Sequence, residues 1–158
     1  GLGVRSHAFH RRIIDTGACD IVLTYRDYNL LHQTALEGVL KPAAERGVGV
    51  FNGMTIMGGL LGGRNPSTVM AGKDNPISEE TEIRQAEALW AWARERGVNL
   101  LALNLQFCMR QSRIASTLVG ASTPEQVETD VGAAQAAIPR EVWQALPDQL
   151  ERLRPTSG

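Results

Sequence analysis

The chain has 158 residues, enough for one domain with a sizeable core, and its 16 basic and 17 acidic residues leave a formal net charge of -1. With no polybasic run, nucleic acid and anionic membranes are disfavoured as partners. No apolar segment approaches the roughly 20 residues that span a bilayer, and the first residues lack a charged-then-apolar leader, so the sequence predicts a cytoplasmic protein.

Leu2 and Val4 alternate with Gly1 and Gly3 as in a strand. Ser6 is placed to cap a helix carrying Phe9, Ile13 and Ile14, and Gly17 to stop it in the left-handed conformation. Asp20 opens the β-branched run Ile21-Val22-Leu23-Thr24-Tyr25, the pattern of a buried parallel strand, and a loop through Asp27, Tyr28 and Asn29 follows. Over residues 33–46, Ala35, Leu36, Val39, Leu40 and Ala43 recur at helical spacing, and Pro42 is expected to kink or restart that helix. Val48-Gly49-Val50-Phe51 reads as the next strand. Residues 52–77 form a glycine-rich segment with Pro66 and Pro76, read as one long loop of the kind usually kept for function. Ser78 is expected to cap a helix bearing Ile83, Ala86, Leu89 and Trp90, and Asn99 another through Leu103 and Phe107. A last amphipathic helix runs from Pro139 through Trp143, Leu146 and Leu150.

Between these lies the most informative stretch, Ser116-Thr-Leu-Val-Gly-Ala-Ser-Thr-Pro-Glu-Gln-Val-Glu-Thr-Asp130. An apolar run around Leu118 and Val119 breaks into small residues, Thr123 stands at an N-cap, Pro124 at the first helical position and Gln126 three residues after the cap. Strand, small-residue turn and helix N-terminus in that order suit phosphate, although an ordinary strand-to-helix connection has the same layout. Strands alternating with helices imply a parallel sheet, either open and doubly wound or part of a (β/α)8 barrel, and periodicity alone does not separate the two.

Four motifs in order resemble the aldo/keto reductases: Asp20-Ile-Val-Leu-Thr-Tyr-Arg-Asp-Tyr-Asn-Leu-Leu, Ala44-Glu-Arg-Gly-Val-Gly-Val, Gly58-Gly-Leu-Leu-Gly-Gly, and Leu118-Val-Gly-Ala-Ser-Thr-Pro-Glu-Gln-Val. The first two look most like the L-galactose and L-fucose (aldose) dehydrogenase branch. The resemblance implies an α/β fold of the (β/α)8 TIM-barrel type, with this chain as the C-terminal half: about four βα units and two extra helices, starting inside the fifth strand. It also implies hydride exchange between a nicotinamide dinucleotide (NAD or NADP) and a sugar or aldehyde substrate in the complete protein. In the family the first half carries the catalytic Asp, Tyr, Lys and His; no catalytic residue is carried over here, and the isolated chain is expected to be inactive.

Cofactor positions implied by the resemblance are Ser6 near the carboxamide, Tyr25 where the family often has Gln, and Gly53 where it often has a stacking aromatic. Met54 and Ile56, flanking Thr55 in place of a common proline, lead a backbone to Gly59 that would border the pyrophosphate. Gly120, Ala121, Ser122 and Thr123 would approach the adenosine phosphate. Gln126 stands for a common Arg, and Asp130 would face the adenine amino group. Without Lys or Arg in this turn the 2′-phosphate lacks its usual forked grip, which favours NAD over NADP.

Other chemistry-bearing residues have plainer readings. His7 and His10 lie one helical turn apart beside Arg11 and Arg12, which disfavours a metal ion, so His7, His10 and His32 are read as solvated or locally bonded. Cys19 and Cys108, far apart and without CxxC spacing, are read as reduced packing residues. Trp90, Trp92 and Trp143 are read as helix packing. Half a barrel would leave unpaired edges near Leu2 and Leu118, covered either by the rest of a longer product or by a second copy in a homodimer. A non-catalytic binding or assembly module of the same family is the alternative to an enzyme half.

Overall fold

In the computed structural model, which describes residues 1–71 and 78–154, four strands pair in parallel in sequence order: β1 (Leu2–Gly3), β2 (Ile21–Tyr25), β3 (Gly49–Gly53) and β4 (Ser116–Thr117). Helices α1 (His7–Thr16) and α2 (Lys41–Glu45) fill the first two connections, and α3 (Pro66–Met70), α4 (Glu80–Glu95) and α5 (Leu100–Met109) the third. The helices α6 (Pro124–Gln135) and α7 (Arg140–Leu153) follow β4. The positions Lys73, Pro76 and Ile77 lie outside the described residues.

The chain divides into two compact units, Gly1–Thr55 with Leu105–Ser122, and Ile56–Asn104 with Thr123–Gly158. The first holds the sheet. Along β2 and β3 the alternation that a strand imposes sends Val22, Thr24, Val50 and Asn52 to one fully buried face. Ile14 of α1, Val39, Leu40, Ala43 and Cys108 close over that face, with Leu2, Ile13 and Phe107 packed at its margin. Each such aliphatic side chain contributes about 1.5–3 kcal/mol on burial. The second unit is helical. Ala86, Leu89 and Ala93 of α4 are buried at helical spacing, and Val142 and Leu146 are the buried residues of α7.

Several local expectations hold. Gly17 ends α1 at φ 68°, and Asn99 accepts the Leu101 N–H at 2.8 Å. Cys19 and Cys108 are buried free thiols. Pro42 does interrupt its helix: Leu36–Leu40 is a π-helical turn and α2 restarts with the proline in its first turn. Pro42 has no N–H to give, and the Lys41 N–H goes back to the Leu36 carbonyl. Arg11 of α1 donates to the Gly38 carbonyl at 3.3 Å and the Glu37 carbonyl at 3.2 Å, supplying donors at the interruption.

Other boundaries differ from the sequence reading. The strand expected at residues 48–51 runs to Gly53. The expected long loop contains a 3₁₀ turn (Met57–Gly59) and α3, whose Asn65 cap accepts the Ser67 N–H at 3.1 Å. Helix α4 is capped by Glu79, not Ser78: Glu79 and Glu82 form a reciprocal capping box, while Ser78 is buried with its hydroxyl unpartnered. The last strand is Ser116–Thr117, not the Leu118 region. Past Asn52 the β3 chain turns away at Met54, so Leu118 keeps a single N–H bond, to the Asn52 carbonyl at 2.8 Å.

Candidate functional site

Parallel strands in one sheet end at one edge, and in the first unit that edge carries the residues after β1, β2, β3 and β4. Ser6 is the N-cap of α1. Its carbonyl accepts the N–H groups of Phe9 and His10 at 3.1 Å, but its hydroxyl makes no capping bond and the residue is exposed. Tyr25, half-buried, closes β2 in register with Gly53, and the Arg5 guanidinium lies 5.9 Å from the centre of its ring. The two central strands end alike: Arg26 and Met54, neither of them glycine, both take positive φ, at 70° and 56°. Such turns cost on the order of 1 kcal/mol each and cluster where a backbone is held for function. The Arg26 N–H bonds the Gly53 carbonyl at 3.1 Å, which ties the two ends together.

Thr55 is buried and donates its hydroxyl to the Leu118 carbonyl at 3.3 Å. A proline, common at this place in the family the sequence resembles, could not make that bond. Beyond Leu118, Gly120, Ala121 and Ser122 are exposed, and a Cβ built on Gly120 meets no atom within 4 Å. The small residue is therefore not demanded by the protein's own packing.

In the second unit Ile56 leads the 3₁₀ turn, and its carbonyl accepts the N–H groups of Gly59 and Leu61 at 3.1 Å. Gly59 has φ 99°, and a Cβ there would press on Val69 at 3.1 Å, so this position requires glycine. On α6, Thr123 accepts the Gln126 N–H at 3.3 Å with Pro124 at the first helical position, as its sequence suggests. No residue of α6 is buried. Gln126 is exposed, and the half-buried Asp130 carboxyl is pushed above its usual range by desolvation.

Spacing gave no sign of two features of the sheet edge. His7 Nε2 lies 2.9 Å from Asp27 Oδ2, a carboxylate oxygen that also accepts the Thr24 hydroxyl at 3.2 Å. His10 is fully buried, its Nε2 donating to the Leu23 carbonyl at 3.0 Å. Twenty residues separate His7 from Asp27, so only the fold brings them together. Among the described residues no three His, Cys, Asp or Glu side chains are grouped to hold a metal ion, and no helix is long and apolar enough to cross a membrane.

Parallel strands in sequence order joined through helices, with polar and glycine residues collected at the strands' C-terminal edge, define an α/β protein whose sheet is consistent with part of a (β/α)8 barrel. The chain belongs to the aldo/keto reductase family, whose model matches residues 2–151. It is 30% identical over 120 residues to L-galactose dehydrogenase of Arabidopsis thaliana, covering 76% of this chain and 35% of that protein. It is 30% identical over 151 residues to pyridoxal 4-dehydrogenase of Microbacterium luteolum (92% and 42%), and 28% identical over 145 residues to D-threo-aldose 1-dehydrogenase of a Pseudomonas species (92% and 43%). The chain thus spans about two-fifths of the length of these relatives.

Proposed function

We propose that this chain is the C-terminal, dinucleotide-binding half of an aldo/keto reductase that oxidises or reduces an aldose or aldehyde, and that it is inactive without the other half. The observation that carries this reading is the edge of the sheet. There an exposed serine hydroxyl not spent on its own helix, a half-buried tyrosine ring and an unobstructed backbone at Gly120 follow three of four parallel strands. Ser6 would hold the carboxamide, Tyr25 would wall the ring, and the Gly120–Ser122 backbone would offer N–H groups to the adenosine phosphate. When bound, the dinucleotide would accept the hydride in oxidation or supply it in reduction; these residues would bind and orient it.

NAD is the preferred form in this reading, because residues 116–130 contain no Lys or Arg to grip a 2′-phosphate. Calorimetry and fluorescence quenching with NAD(H) and NADP(H) test it, on the chain alone and with the N-terminal half of a related dehydrogenase supplied in trans. Binding of NAD(H) without turnover of any aldose by the chain alone is the expected result. Absence of binding in both formats overturns the reading, as does turnover by the chain alone.

A further inference from the structure

Helix α1 begins beside the candidate site without the usual means of holding its first turn. Its cap, Ser6, gives no side-chain bond, and no acidic residue stands in the first turn to meet the helix dipole. A turn so built frays unless something else fixes it, yet Ser6 must keep one position to serve a ligand. We infer that His7 and Asp27 are a positioning pair that clamps the start of α1 to the end of β2 and so holds Ser6 in place, its hydroxyl free for the ligand. What Ser6 meets rests on the dinucleotide reading above; the clamp rests on geometry alone.

The clamp is built from four sides. His7 Nε2 donates to Asp27 Oδ2 at 2.9 Å, and Thr24 donates to the same oxygen at 3.2 Å, so the carboxylate joins the first residue of α1 to the next-to-last residue of β2. The Asp27 backbone is itself fixed, its carbonyl accepting the Ala35 N–H at 3.0 Å. The other side of the imidazole rests on Gly38 of the π-helical turn, where a Cβ would overlap Nδ1. One turn along α1, Arg11 holds the carbonyls of Glu37 and Gly38. With Nε2 on Asp27 and Nδ1 against the Gly38 backbone, His7 has no ring nitrogen placed to exchange a proton with a substrate. It acts through Ser6, its neighbour in the chain, just as Thr24 neighbours Tyr25.

The test uses the 158-residue chain with His7→Leu, which removes the donor, and His7→Gln, whose amide nitrogen takes the place of Nε2. Amide hydrogen exchange at Phe9 and His10, both bonded to the Ser6 carbonyl, reads the clamp without ligand. Calorimetry with NAD⁺ and with ADP-ribose, which lacks the nicotinamide, reads its consequence. Loss of one half-buried charge-assisted bond is expected to speed exchange at Phe9 and His10 about tenfold and to weaken NAD⁺ about five- to tenfold. ADP-ribose should stay within about twofold, and His7→Gln should restore most of both effects. Unchanged exchange in His7→Leu overturns the clamp. Equal weakening of NAD⁺ and ADP-ribose overturns the link to Ser6, since a general packing role would do the same. A wild-type chain that binds neither ligand strikes the dinucleotide reading and Ser6's part in it, while the exchange measurement still decides the clamp.

Discussion

His10 Nε2 meets the Leu23 carbonyl at 3.0 Å inside the first unit, and its Nδ1, fully buried, has no partner. The bond to a carbonyl fixes the neutral tautomer with the proton on Nε2. A second proton would put an N–H into a site without an acceptor, and desolvation accordingly holds the His10 pKa below its ordinary 6.5. A group whose folded pKa is depressed gives stability that is present above its unfolded value and is lost as the pH falls through it. The urea midpoint should therefore drop between pH 7.5 and pH 5, and the drop should be smaller in His10→Gln, which cannot be protonated. An equal pH dependence in both proteins would assign it elsewhere.

Gly38 is expected to tolerate no side chain while His7 is present. It lies in the π-helical turn without a left-handed φ, so the obstacle is the imidazole lying against it and not a conformation reserved for glycine. Gly38→Ala should cost about 1–3 kcal/mol of stability by overpacking. In a His7→Ala background the same substitution should be near neutral, a coupling that a thermodynamic cycle from denaturant unfolding measures directly.

Regular structure was legible in the sequence wherever a local rule applies. The strand at residues 21–25 follows from β-branched residues, the end of α1 from Gly17, the start of α6 from Thr123 and Pro124, and the restart of α2 from Pro42. Boundaries set by a partner were not. The end of β4 depends on where β3 turns away at Met54, and the cap of α4 on Glu82 reaching back to Glu79. The same division holds at the site. The glycine and serine positions proposed for the site were read from motifs, and of them Gly59 has a backbone that requires glycine, at φ 99° against Val69. The His7 and Asp27 pair and the Thr55 bond to Leu118 join residues 20 and 63 apart, contacts that exist only once strands are paired.

Asn52 and Cys108 share one acceptor. The Asn52 amide donates to the Tyr28 carbonyl at 2.9 Å, and the Cys108 thiol approaches the same oxygen at 3.4 Å. Burial pushes the thiol up to about 12, so it stays protonated and able to donate at any ordinary pH. Asn52→Ala should cost about 1–3 kcal/mol. Cys108→Ala alone leaves the stronger donor in place, and the double variant should lose about 1 kcal/mol more than the sum, because the buried carbonyl is then orphaned. Strict additivity in urea unfolding would mean that the two donors act independently.

The turn at Gly120 offers the last test, at the adenosine end of the proposed ligand. Thr123→Ala removes the side-chain acceptor of the Gln126 N–H, leaving only the Thr123 carbonyl at 3.2 Å, and should cost α6 about 1 kcal/mol. Because no residue of α6 is buried, the loss should appear as faster amide exchange at Gln126 and Val127. It should weaken NAD⁺ and ADP-ribose alike, the opposite of the pattern expected for His7→Leu. Gln126 is exposed, and in the proposed reading a guanidinium there would supply a forked, charge-assisted grip on a 2′-phosphate. Gln126→Arg should therefore raise affinity for NADP⁺ about tenfold and leave NAD⁺ within about twofold, measured side by side by fluorescence quenching. A variant that gains nothing for NADP⁺ would separate this turn from the adenosine ribose.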